Sequence, residues 1–314
     1  MRKLSFILFT ALSLVATSHK VQAQGGSDDL MKMLDQEEKN GKHKKEYVTA
    51  TFKATRIVNG HSIENLGKGI LDFRIMHRFG ELSTGEANFW GFDNAATKLS
   101  LDYGITDWLM VGAGRSAYKK EYDGFAKVKL LRQRSNGGMP ISASFVTGFS
   151  LQGKNVALRP DGKEYEFVDR MHYFHQVLVA RKFNDWLSLQ VMPTIVHYNV
   201  VDSSKDPNDI ISLGVGGRIK LTNRLALTGE YYYNLPGSKL DGYQNALSFG
   251  IDIETGGHVF QLVFTNATAI NERSFIAQNN SQWSKGQVHF GFNISRVFTI
   301  VQPKEFKDSR NKIW

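Results

Sequence analysis

The fold class predicted here is all-β: an antiparallel up-and-down transmembrane barrel of about 12 strands with a short helical or disordered leader, on three observations. Runs of about ten residues, the length a tilted strand needs to cross a bilayer, carry an apolar side chain at every second position. Tight polar turns alternate with longer polar segments. A pattern typical of exported proteins precedes them all.

That pattern opens the chain. Arg2 and Lys3 precede an apolar stretch over residues 4–16, followed by a polar spacer and Val21-Gln22-Ala23. Charge, then apolar stretch, then small residues is expected of a signal peptide over residues 1–23, and the stretch is too short for a membrane-spanning helix. No cysteine occurs in the 314 residues, which excludes a lipid-attachment cysteine and disulfides alike. Removing the signal would take three positive charges, Arg2, Lys3 and Lys20, from a formal net charge of +9. The remaining excess is modest and scattered, so no nucleic-acid partner is expected.

Residues 24–46 are expected to be a periplasmic leader. Leu30, Met33 and Leu34 follow Asp28 and Asp29 at helical spacing, which fits either a short amphipathic helix with acid at its positive end or a disordered segment.

From Tyr47 the period is two. Leu71, Phe73, Ile75 and Phe79 share one parity, as do Leu187, Leu189, Val191 and Ile195, and Leu247, Phe249, Ile251 and Ile253. These sets are expected to face lipid, with Ser, Gly, Gln, Thr and charged residues facing a polar lumen. A soluble sandwich also alternates. Strand length, the export pattern and aromatic residues near strand ends (Tyr103, Trp108, Trp186, Tyr231 and Tyr233) favour the barrel. A mean hydropathy of -0.31 is no objection, because only half of each strand needs to be apolar.

Short turns near 104–108, 135–138, 182–187, 221–225 and 254–258 are assigned to the periplasm, and the longer segments between them to the outside. Counting from Gly69 gives about twelve strands within a barrel over residues 47–298, followed by a periplasmic tail over 299–314. Residues 47–57 are left over. They pair with a missed strand to make about fourteen, stay on the periplasmic side, or enter the barrel. Glycine runs at 112–114 and 214–217 are expected to permit either sharp curvature or a close approach of interior groups to the wall.

The inward parity gathers the candidate lumen-lining residues Asp72, Arg74, Arg78, Lys98, Asp102, Lys127, Lys129, Arg218, Lys220, Glu230, Asp252 and Glu254. Such charges either select polar solutes in a pore or pair across neighbouring strands to fill a narrow one. No nucleophile elbow, zinc-protease motif or phosphate loop occurs. His172 and His175 lie three apart, on opposite faces of a strand, which disfavours a shared metal. No catalytic residue, metal or cofactor is therefore expected. The leading reading is a porin- or transporter-like barrel that binds or passes small solutes. The alternatives are a closed docking barrel binding another envelope protein and, more remotely, a lipid-modifying enzyme. Expected partners are outer-membrane lipid, the barrel-assembly machinery and, under the docking reading, that envelope protein.

Several strings add a resemblance: residues 75–80 (Ile-Met-His-Arg-Phe-Gly), 90–93 (Trp-Gly-Phe-Asp), 103–107, 112–116, 127–133, 259–261 and 291–298. Together they resemble a family of Gram-negative outer-membrane β-barrel proteins of unknown function, over nearly all of the chain after Tyr47. The resemblance implies fold and location and carries no site residue over. The last strand, ending at Phe298, resembles the signal that assembly machinery reads, here followed by further residues.

Overall fold

The alternating runs form strands because each presents one apolar and one polar edge to two different solvents. The computed structural model describes residues 46–153, 159, 162–201, 203, 205–256 and 258–301; the expected signal peptide, nearly all of the leader and most of the tail lie outside them. The strands are β1 (Ile70–Glu81), β2 (Ala95–Gly104), β3 (Leu109–Ser116), β4 (Tyr122–Leu131), β5 (Ser142–Leu151) and β6 (Met171–Lys182). They continue as β7 (Leu187–Tyr198), β8 (Asp209–Lys220), β9 (Leu225–Asn234), β10 (Ala246–Thr255), β11 (His258–Thr265) and β12 (His289–Thr299). Each pairs with its sequence neighbours, and β1 closes on β12 from Ile70↔Thr299 onward, so the sheet has no edge. The barrel thus has twelve strands and not fourteen, and every expected short turn joins an even strand to the next odd one.

The outer surface follows the parity reading. Leu99, Leu101, Leu189, Val191, Ile195, Leu213 and Phe249 are exposed on it, and Trp108 and Trp186 stand exposed at the short turns, where indoles favour the membrane interface.

Residues 47–66 do not span. Val48 N–H donates to the Gln133 carbonyl (2.9 Å) at the short β4–β5 turn, and the chain then enters the barrel. It folds back on itself as a hairpin, with Arg56 bridged to His61, Ile57 N–H on the Gly60 carbonyl (2.9 Å) and Ser62 N–H on that of Thr55 (3.0 Å). It returns to Gly69, whose N–H meets the Gly104 carbonyl (2.8 Å) just before β1 begins. Ile57, Val58, Asn59, His61 and Ser62 have no exposed surface. The leftover segment carries both apolar and polar residues because both its faces meet wall.

A second element enters from the opposite end. In the β11–β12 loop, α1 (Glu272–Ala277) is buried along its whole length. Phe275 packs edge-on against Tyr232 (5.2 Å between centroids), and Tyr198 Oη donates to the Arg273 carbonyl (3.0 Å). Hairpin and helix meet where Arg56 pairs with Glu272.

The expectation of a uniformly polar inward face needs correcting. Met110, Val146, Phe174, Leu178, Met192, Val196 and Ile210 also point inward and are buried with Phe52, Ile57 and Ile63 of the hairpin. A wall facing protein instead of water tolerates apolar side chains, each stabilising by roughly 1.5–3 kcal/mol when fully buried. The lumen therefore has an apolar sector centred on β5–β8, with Met110 of β3, and a charged sector on β1, β2, β4 and β9–β12.

Two glycines make room for the hairpin. Ile57 lies over Gly216, where a Cβ would stand 2.6 Å from its Cδ1, and a Cβ on Gly104 would stand 2.1 Å from the backbone oxygen of Gly67. A flexible side chain yields; a backbone carbonyl does not. Gly104→Ala is therefore expected to destabilise the barrel by about 1–3 kcal/mol, read as a lower midpoint for heat unfolding on gels. Gly67→Ala, whose added atom would meet neighbours only at 3.8 Å, is the control.

Candidate functional site in the lumen

The wall charges serve the hairpin. At the short-turn end of the barrel Lys53 pairs with Glu254, and Arg218 Nη1 reaches the Ala50 carbonyl (3.3 Å). Lys129 and Lys220 stand half-buried at the short-turn ends of β4 and β8. Higher up, Arg74 Nη2 donates to Thr55 Oγ1 (2.7 Å) and to Asp72 (2.5 Å), whose other oxygen accepts from Ser295 (2.6 Å). Lys127 Nζ caps the Ser62 and Glu64 carbonyls. On the far wall Gln261 Nε2 bonds both Asp252 (2.5 Å) and the Ile57 carbonyl (2.7 Å).

The hairpin tip is held most tightly. Glu230 accepts from the backbone N–H groups of Val58, Asn59 and Gly60, the Asn59 bond being 2.7 Å. Arg78 donates to the Asn59 side-chain oxygen (2.8 Å) and to Asn293 (2.9 Å), which itself donates to the Val58 carbonyl (3.0 Å). A charged acceptor on backbone donors and a guanidinium on an amide are among the stronger hydrogen bonds available in a protein interior.

The expected ladder of opposite charges across neighbouring strands does not form. Asp72 and Arg74 share one strand; Lys98 and Asp123 (2.8 Å) reach across β3, where Gly114 leaves the space between them open. Asp102 is 1% exposed, and neither of its oxygens has a hydrogen-bond partner. Wall charges are spaced to meet a third body in the lumen, so neighbouring strands have no reason to complement each other.

Above the hairpin, Glu121 ties α1 to the wall by accepting from Arg273 Nη1 (2.8 Å), Asn271 Nδ2 (2.8 Å) and Ser274 Oγ (3.2 Å). Burial pushes its carboxyl up, but Arg273 and these hydrogen bonds outweigh that and hold it below the usual glutamate range. Cavities lie at both ends of the lumen. One of about 270 Å³ sits at the short-turn end beside Lys53, Glu64 and Glu254; others of about 210 and 350 Å³ lie at the opposite, long-loop end.

Sequence reasoning missed the partners of the wall: Arg56, Asn59, Gly60, His61 and Glu272. The signal was the unplaced segment 47–57, a period-two run with no strand to pair with. His172 faces inward and His175 outward, on opposite faces as the strand period requires. Outward His77, His175 and His197 bond Thr97 (2.9 Å), Thr147 (3.0 Å) and Asp209 (2.7 Å). Among the described residues no cluster of three or more His, Asp or Glu could hold a metal.

The family profile described as membrane bound beta barrel domain (DUF5777) matches residues 52–298, hairpin included. Solved structures resemble the chain at low identity. The NanC porin is 7% identical over 74% of this chain and 100% of that one, with a TM-score of 0.44. The COG4313 outer membrane channel from Pseudomonas putida F1 is 11% identical over 76% and 98%, with a TM-score of 0.45. An active-site mutant of outer membrane phospholipase A from Escherichia coli is 12% identical over 79% and 98%, with a TM-score of 0.44. No curated protein matches the chain.

Proposed function

We propose that this chain, which belongs to the DUF5777 family of membrane-bound beta barrel domains, is an outer-membrane barrel that binds and passes small polar solutes, with the hairpin as its inner gate. The observation that carries this reading is the chemistry of the hairpin's seat. On the charged sector the hairpin is held by side chains that water and a polar solute can replace, namely Arg74, Arg78, Lys127, Glu230, Gln261 and Asn293. Displacing it toward the apolar sector would uncover a wall of fixed charges of both signs, the lining that selects among polar solutes in a pore. A barrel of about eight strands is filled by its own side chains, whereas sixteen or more leave an aqueous channel. Twelve strands lie between, wide enough for a passage once the hairpin moves.

The absence of native cysteine permits a direct test. Ile57→Cys combined with Gly216→Cys places thiols on facing positions of hairpin and wall. In planar bilayers the reduced protein is expected to show intermittent conductance, and the oxidised protein none. Equal silence in both states, with no solute uptake into liposomes, would favour a closed docking barrel, the reading that the apolar sector supports.

A further inference from the structure

The outer end of the lumen holds a cavity that the hairpin does not use. About 210 Å³ in volume, it lies beside α1 and is lined by His172, Tyr198, Tyr165, Tyr243, Asp241 and Gln278, among others. His172 is 3% exposed, and neither of its ring nitrogens has a hydrogen-bond partner. Leaving a buried polar group unpaired costs about 1–3 kcal/mol, so the position is expensive unless something completes it. Its ring packs against Tyr198, with centroids 4.9 Å apart. Gln278 gives its carbonyl oxygen to Lys119 (2.7 Å) and Arg273 (3.0 Å), which leaves its amide N–H groups as donors. Asp241 Oδ1 accepts from Gly242 N–H (2.9 Å), which leaves its second oxygen as an acceptor.

The cavity therefore offers aromatic rings interspersed with separate donors and acceptors. Arg273, the cation on its lining, is already bound to Glu121. An anionic solute would face Asp241 and Asp206, and a cationic one Arg273. A hydroxyl both donates and accepts, and a neutral imidazole has one nitrogen of each kind to receive it. Cavities that enclose drug-sized ligands run to about 300–1,000 Å³; this one suits a single ring.

We propose that this cavity binds a small neutral polyhydroxylated solute, one sugar or cyclitol ring, through His172 and the surrounding tyrosines. The assignment names the solute class of the passage argued above and rests on that reading only for the claim that the solute then travels inward.

The test is calorimetric titration of the full chain in detergent with glucose, N-acetylglucosamine and myo-inositol, and with glucuronate and putrescine as charged probes. At least one neutral probe is expected to bind saturably, and His172→Phe to weaken it by about tenfold or more. The same variant should leave the thermal midpoint unchanged or raised, because it removes two unpaired nitrogens and keeps a ring on Tyr198. A purely structural histidine would show the reverse, a lowered midpoint with binding intact. Asp241→Ala, at an exposed rim position, should weaken binding without touching the packing. No saturable binding of any neutral probe, binding of a charged probe alone, or indifference to both variants would overturn the assignment. Conductance is read separately: a silent barrel that binds the ring loses only the passage, and a conducting barrel that binds none loses only the site.

Discussion

Replacing residues 51–66 with a short Gly-Ser linker is expected to convert a nearly silent barrel into a leaky one, with mean conductance rising on the order of tenfold or more in planar bilayers. The hairpin fills the middle of the lumen, and its residues there have no exposed surface. Its removal also frees Glu272 from Arg56, so α1 loses its contact with the hairpin while Glu121 still holds Asn271, Arg273 and Ser274 beside it. Conductance is therefore expected in bursts. The deletion bares Phe174, Leu178, Met192 and Val196, so the heat-unfolding midpoint should fall as well. A variant that still migrates as a folded barrel yet stays silent would show that the twelve strands close without help, and the gate would lose its meaning.

The second large effect is expected at the contact between the two inserted elements. Arg56 and Glu272 are both buried, and His61 Nε2 stands 3.3 Å from the same Glu272 oxygen. Arg56→Met leaves a buried carboxylate without its counter-charge, at a cost of about 3–5 kcal/mol. The midpoint should drop sharply, and the outer loop should become accessible to protease. Arg56→Met with Glu272→Met removes both charges and should recover most of that loss, because a well-packed apolar pair substitutes for a buried ion pair at little cost. A double-mutant cycle measures the coupling directly. If the double variant is no more stable than the single, Arg56 acts through packing, and the two inserted elements are independent.

Much of the wall was legible in the sequence. Period two gave the strand faces, and alternating loop lengths gave the topology, because a bilayer imposes both on the local chain. The charged residues from Asp72 to Glu254 were legible as inward-facing for the same reason. Their partners were not. Parity reports which way a side chain points and is silent about what fills the space, so Glu230 could not be matched with three backbone N–H groups at residues 58–60. Phe174 and Met192 broke the polar-lumen expectation for a related reason: the inner solvent on their side is the hairpin. The helix in the β11–β12 loop left no periodic trace, since six residues make fewer than two turns.

The hairpin runs directly into β1, and β1 is one half of the seam that shuts the ring. The contents of the lumen and the strand that seals it are therefore consecutive stretches of one chain, whereas, Arg78 of β1 apart, the groups that grip the tip come from much later in it. Asn293 and Val58 are separated by 235 positions. Filling and sealing accordingly both depend on the last strand, which supplies the partner of β1 and Asn293 at the tip. Such distant pairing is slow, and it remains without residues 51–66, because β1 still has to meet β12 across the whole ring.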